Sequence, residues 1–283
     1  VRNTYLLDLL LRNNSHVLMV GDSGTGKTVN IAKYLVEAPS CFIPLALTFS
    51  AQTSANQVQD TIDSKLDKRK KGVYGPPLGK RFIVYVDDLN MPKKEEYGAQ
   101  PPNELLRQVI DDSGFYDTDK LFWKNVQDLS VVAACAPPGG GRNELSPRLL
   151  THFNMVWLPQ LSAESMNVIF RAILNGFLSH ELTECVPLAA HVVEASVDIY
   201  NRVQNEMLPT PAKSHYTFNL RDLSKVFQGL LMVEHKFCDN QRELKKLWVH
   251  EKCRVFRDRL IDDDDRNLFN QMIEKALQDD LPA

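Results

Sequence analysis

The sequence predicts a parallel α/β sheet with helices on both faces, followed by an all-helical unit. Three observations carry that expectation. A glycine-rich octapeptide, GDSGTGKT at residues 21–28, lies between an apolar run of strand length and a stretch with helical periodicity. Short apolar runs then alternate with helical segments, the pattern of strand–helix–strand units. From about Ser162 onward only amphipathic helical spacing remains. The boundary is set there, with residues 1–161 as the α/β part and 162–283 as the helical part.

Taken in order, YLLDLLLRNNSH (5–16) has helical apolar spacing and ends in Asn-Asn-Ser, and VLMV (17–20) is the first strand. TVNIAKYLVEA (28–38) reads as a helix closed by Pro39. FIPLALTFS (42–50) is a second strand, and SANQVQDTIDSKLDKRKK (54–71) reads as one polar helix. GVYGPPLGK (72–80) is expected to be loop, from its density of glycine and proline. RFIVYVDD (81–88) is a hydrophobic strand ending in two aspartates. PPNELLRQVIDDSG (101–114) is a helix with a glycine stop. LSVVAACA (129–136) is a strand followed by PPGGGRN, and MVWLPQL (155–161) contains the last strand. Beyond it, SAESMNVIFRAILNGFL, LAAHVVEASVDIYNRVQNEM, NLRDLSKVFQGLLMV, QRELKKLWVHEKCRVFRDRLI and RNLFNQMIEKALQ all have amphipathic helical spacing. No internal repeat is present.

Composition narrows the function classes. The 283 residues are 43% hydrophobic and 24% charged, as in globular proteins with a sizeable core. A net charge of -3 supplies no general attraction to nucleic acid or to anionic membranes, and neither is expected as a partner. KLDKRKK (65–71) is basic but lacks interleaved aromatics, so it reads as a solvated helix end. Five scattered cysteines without a CxxC pair point to a reduced, intracellular compartment and against a disulfide framework or zinc site. DDDD (262–265) reads as a charged turn, and His152 and His215 show no ligand spacing. No apolar run reaches the roughly 18 residues of a membrane span. The chain begins at Val1 without a signal or transit peptide and reads as a segment of something longer.

The octapeptide fits the P-loop pattern at every fixed position. Gly21, Gly24 and Gly26 permit backbone shapes that side chains would block, so that the N–H groups of Asp22, Ser23, Thr25 and their neighbours can point at phosphate. Lys27 would reach the β- and γ-phosphates, and the Thr28 hydroxyl would ligate Mg²⁺. The helix that starts here adds its positive end. Asp87, ending a buried strand, is the candidate to hold the metal's water shell. Asp88 stands where hydrolysing P-loop proteins often carry the glutamate that activates water; the alternative is a turn aspartate. A guanine-reading Asn-Lys-x-Asp element is missing, since NLRD (219–222) has Leu220 in place of the lysine.

P-loop, acidic strand end, PPGGGRN and trailing helices together look like an AAA+ module. The longer stretches FSAQTSANQVQDTIDSKLDKRKKGVYGPPLGK, VDDLNMP, YGAQPPNELLRQ, APPGGGRNELSPRLLTHFN and HYTFNLRDLSKVFQG closely resemble the third AAA+ module of axonemal dynein heavy chains. The resemblance covers nearly the whole chain. It implies one link of a six-module ring motor that works on microtubules in cilia and flagella, with a large α/β subdomain and a small helical lid. It further implies ATP or ADP with Mg²⁺ as ligands, and neighbouring modules of the same heavy chain as direct partners. Intermediate chains, light chains and microtubules would belong to the whole motor, in the cytoplasm and the axoneme. No coiled-coil stalk pattern is present in this segment.

Carried over by position, Gly21 to Thr28 match the Walker A loop and Asp87 with Asp88 the Walker B pair. Arg221 stands where AAA+ proteins place the second sensor, an arginine of the lid directed at phosphate. Arg148 is the candidate finger for the neighbouring module's site, although Thr151 stands where a second arginine is common. Val1 and Arg2 resemble the segment that packs near adenine. The first sensor, usually polar, falls on Ala136, which cannot hydrogen-bond water or phosphate. With Asp88 one methylene short, the expectation is a nucleotide-binding regulatory module that hydrolyses slowly or only beside its neighbour. A fully competent Mg-ATPase module and a structural module with an empty site are the alternatives.

Overall fold

The computed structural model describes residues 2–139, 141–238 and 240–279, which fall into two compact units, 1–160 and 161–283. In the first unit the elements run α1 (Arg2–Arg12), β1 (His16–Val20), α2 (Lys27–Glu37), β2 (Phe42–Thr48), α3 (Ala55–Asp63), β3 (Asp67–Lys70), β4 (Val73–Gly75) and β5 (Arg81–Asp87). They continue with α4 (Pro101–Asp111), β6 (Gly114–Tyr116), β7 (Trp123–Val126), β8 (Leu129–Cys135), α5 (Pro147–Leu150) and β9 (Phe153–Trp157).

Five parallel strands form the main sheet in the order β2-β5-β8-β1-β9. Continuous apolar runs go to the centre because both faces of those strands are covered. Thus Val17–Met19, Phe82–Val86 and Ser130–Cys135 are buried, whereas β2 and β9 are half exposed and lie at the edges. Pro44, which has no N–H to give a ladder, is accommodated in edge strand β2. On the opposite edge Met155 and Trp157 face solvent. One face of the sheet packs Val17, Met19, Ile83 and Val132 against Leu7 and Leu11 of α1 and Ile31 of α2. The other packs Leu18, Val84 and Val131 against Val58 and Ile62 of α3 and Leu106 and Val109 of α4. Register brings Val20 level with Cys135 and Trp157, and Thr48 level with Asp87, so all five strands end along one rim.

The polar helix expected over 54–71 is shorter than its sequence implied. The Ser54 and Gln57 capping box starts α3, which ends at Asp63, and Asp67–Lys70 is a strand. The reason is local. After Leu66 the basic residues offer no apolar group at helical spacing, while Gly72, at φ 74, allows the chain to double back. Strand β3 then pairs antiparallel with β4, inside the segment expected to be loop. Arg69 fastens this hairpin by donating to the Pro76 carbonyl at 3.0 and 2.8 Å and pairing with Asp128 at 2.5 Å. The four strands β3-β4-β7-β6 make a second small sheet, of which β6 and β7 have no clear sequence signal.

The second unit comprises α6 (Ala163–Glu181), α7 (Ala189–Glu206), α8 (Leu220–Leu230), α9 (Gln241–Val255) and α10 (Asp263–Asp279). Ser162, Asn219 and Asn240 cap α6, α8 and α9 with their side chains. The core stacks Phe170 on Phe227, with ring centres 4.4 Å apart, and encloses Trp248, Phe256 and Phe269. Two aspartates of the DDDD run are accounted for by Lys213, which pairs with Asp262 and Asp265 at 2.6 Å each. Lys252 is fully buried; its ammonium donates to the Ser196 carbonyl at 3.0 Å and lies 5.3 Å from the Phe256 ring centre.

Candidate functional site

The octapeptide joins β1 to α2 at the rim where the central strands end. Gly21 is pinned there: a Cβ on it would come within 2.6 Å of the Leu158 carbonyl and 2.9 Å of Thr25 Oγ1. Gly24 and Gly26 have φ 90 and 84, a backbone region that side chains rarely adopt. Ser23 and Gly24 form the outer turn. Asp22 is held by Gln160, which donates to its carboxylate at 2.8 Å, while the Thr25 hydroxyl donates to the Asp22 carbonyl at 2.9 Å. The buried Lys27 ammonium folds back onto the loop, donating to the Gly21 and Asp22 carbonyls at 2.7 and 2.8 Å. Burial holds its pKa below that of a free lysine, and the nearby Arg142 guanidinium lowers it further.

Asp87 ends β5 across the rim, and the Thr28 hydroxyl donates to its carboxylate at 3.0 Å. The two candidate metal ligands therefore already touch. Among the described residues no group of three or more His, Cys, Asp or Glu side chains could hold a metal by itself. A cation here would need phosphate and water as further ligands, which is how Mg²⁺ is commonly held beside nucleotides. Loop, lysine, hydroxyl and carboxylate fit a magnesium-bound phosphate.

Asp88 adopts a left-handed backbone, with φ 54, and its carbonyl accepts from the Met91 N–H at 2.9 Å. Aspartate tolerates that conformation better than longer residues do, so the turn reading and the acidic reading meet in one side chain. Ala136 is buried, and the Asn90 side-chain amide donates to its carbonyl at 2.7 Å. Asn143 returns from the loop after β8 to the same segment; its backbone N–H donates to the Asn90 carbonyl at 3.0 Å and its side chain to the Pro92 carbonyl at 2.8 Å. These two asparagines and Arg142 lie in VDDLNMP and PPGGGRN, but the sequence assigns them no individual role, because no spacing rule marks a loop that is stitched to a neighbouring strand end. Burial pushes the Cys135 thiol up to about 11, so it adds no negative charge.

Of the remaining candidates, Arg148 is exposed on α5, where its carbonyl accepts from the Thr151 hydroxyl at 2.8 Å. Arg221 is exposed in the first turn of α8, where its backbone N–H donates to Asn219 Oδ1 at 2.9 Å. Arg2 opens α1, and Val1 lies outside the described residues.

Strand β8 separates the loop-bearing strand β1 from β5 with its aspartates, and a separate helical unit follows. Fold and site thus define a P-loop protein of the AAA+ class with a helical lid. Residues 1–161 match the family described as the P-loop containing dynein motor region, and residues 192–281 match the AAA+ lid domain. The chain belongs to the P-loop dynein motor region family. It is 50% identical over 292 residues to Dynein axonemal heavy chain 1 of Homo sapiens, covering 98% of this chain and 7% of that protein. It is 49% identical over 276 residues to Dynein axonemal heavy chain 6 of Homo sapiens, covering 96% of this chain and 7% of the relative. Dynein axonemal heavy chain 12 of Rattus norvegicus is 44% identical over 283 residues, 99% of this chain and 9% of the relative. The chain therefore spans less than a tenth of the length of these relatives. Among the described residues no helix is long and apolar enough to cross a membrane.

Proposed function

We propose that this chain is a nucleotide-binding regulatory module, the third AAA+ module of an axonemal dynein heavy chain. The observation that supports nucleotide binding is the pairing of Thr28 with Asp87 at 3.0 Å beside a lysine held at the phosphate loop, and the module assignment rests on the resemblance of the longer stretches. When bound, a nucleotide supplies the anionic oxygens that this arrangement lacks. Residues Gly21 to Thr28 hold ATP or ADP; Lys27 leaves the loop carbonyls for the phosphates. Thr28 and Asp87 orient Mg²⁺, and Asp88 orients water.

Slow or neighbour-dependent hydrolysis follows from two features. Asp88 is short and fixed in a left-handed turn, and Ala136 offers no side-chain hydrogen bond. Arg221 acts as the lid's phosphate sensor, and Arg148 reaches the adjacent module's site. An arginine supplied in trans raises rates by about 10³–10⁵ where such fingers operate, so turnover depends on the assembled ring. The direct partners are the neighbouring AAA+ modules; intermediate chains, light chains and microtubules are partners of the whole motor, which works in the axoneme.

Calorimetric titration with ATP and ADP, with and without Mg²⁺, tests this reading. Wild type should bind, and Lys27→Ala should weaken ATP by about 2 kcal/mol, the worth of a charge-assisted contact. A folded chain that binds neither nucleotide would reject the proposal in favour of a structural module.

A further inference from the structure

The loop that follows β8 carries a cation toward the same rim. Gly139 and Arg142 exchange backbone hydrogen bonds at 3.1 Å in both directions, closing a tight reversal. Gly139 and Gly141, at φ 121 and 86, make that reversal possible. Beyond it, Asn143 is tied to the Asn90 and Pro92 carbonyls, and Asn90 is tied back to Ala136. Arg142 is therefore held on a loop braced at both ends against the segment that follows Asp88.

Its guanidinium is incompletely satisfied. Arg142 Nε is buried and has no hydrogen-bond partner, an arrangement that ordinarily costs a buried donor its full desolvation. The Gly21 N–H donates to the Cys135 carbonyl at 3.3 Å and Lys27 to the Gly21 carbonyl at 2.7 Å, so the end of β8 that carries the Arg142 loop meets the Lys27 ammonium at one rim, and the charges of Arg142 and Asp88 both act on Lys27 and on the Cys135 thiol. Two cations and the start of α2 thus converge there, with an orphaned planar donor among them. Asp87 and Asp88 balance those two side-chain charges, so what the site lacks is an acceptor for the Arg142 Nε, which a phosphate oxygen would supply.

We propose that Arg142 is a phosphate ligand that tells a triphosphate from a diphosphate, contributing from the end of β8 the polar contact that Ala136 cannot make. The proposal rests on the nucleotide-binding reading above. In it, the guanidinium donates to the terminal phosphate, so its Nε gains an acceptor only when the triphosphate is bound.

The test is calorimetric titration of the whole chain, in Mg²⁺, with ADP and with the β,γ-imido analogue of ATP, for wild type, Arg142→Gln, Arg142→Lys and Lys27→Ala. Melting curves of the four proteins check their folding. Arg142→Gln should weaken the triphosphate analogue about tenfold or more and ADP by less than about threefold, and Arg142→Lys should recover part of the loss. Equal weakening of both nucleotides, or no change in either, overturns the assignment while leaving the nucleotide site standing. Wild type that binds neither nucleotide overturns the site reading and this inference with it.

Discussion

Replacing Lys252 with methionine should stabilise the helical unit near neutral pH and lose that advantage as the solution becomes alkaline. Lys252 is fully buried in α9, and burial pulls its pKa from 10.5 to about 7. Between those values the unfolded chain binds a proton that the folded unit does not, so wild-type stability rises with pH across that window. At about 1.4 kcal/mol per unit, retaining the lysine costs the folded state about 4 kcal/mol at pH 7 and about 2 kcal/mol at pH 9. Methionine removes that cost, but it also removes the bond to the Ser196 carbonyl. For the neutral amine that the fold holds above pH 7, that loss is about 1 kcal/mol. The variant should therefore be more stable by about 3 kcal/mol at pH 7 and by about 1 kcal/mol at pH 9. Urea denaturation can read this through Trp248 fluorescence in a background where Trp123 and Trp157 are phenylalanine. A stability difference that does not change between pH 7 and 9 would refute the reasoning, because it would mean that Lys252 does not change protonation on unfolding.

Two further outcomes concern the first unit. Gly21→Ala would drive a Cβ to 2.6 Å from the Leu158 carbonyl, and should destabilise this unit by about 2 kcal/mol in chemical denaturation while weakening ATP in the same calorimeter. At Asp88, whose φ is 54, glycine should give a more stable unit than glutamate by about 1 kcal/mol; the opposite order of denaturation midpoints would show that the left-handed turn carries no strain.

The main sheet and the loop that fronts it could be read from the sequence because their signals are local and strong. A buried parallel strand needs an unbroken apolar run, and RFIVYVD and LSVVAAC supply one each. The same rule says little about β3, β6 and β7. Three- or four-residue strands rest on partners far along the chain, as Arg69 on Asp128, and a run such as DKRK has no apolar face to betray it. Strand β9 starts at Phe153, two residues before the apolar run MVW, because pairing with His16 and Val17 recruits Phe153 and Asn154. At the site, the octapeptide, Asp87 and Asp88 were visible as motif. The left-handed backbone of Asp88 was not, since its turn is closed by the Met91 N–H and no residue type there demands it, and neither was the bracing of the Arg142 loop, which depends on contacts between segments about fifty residues apart.

The two edges of the main sheet are not equivalent, and this bears on how the protein behaves in concentrated solution. An outermost strand displays a row of unpaired backbone groups on which another chain can template itself, and proline or lysine in that strand discourages such pairing. Strand β2 carries Pro44. Strand β9, FNMVW, carries neither, and it turns Met155 and Trp157 outward. If copies of this polypeptide self-associate on storage or on mild heating, β9 is the seam along which the first aggregates nucleate, and a lysine at Met155 is the solubilising substitution that leaves the phosphate loop untouched.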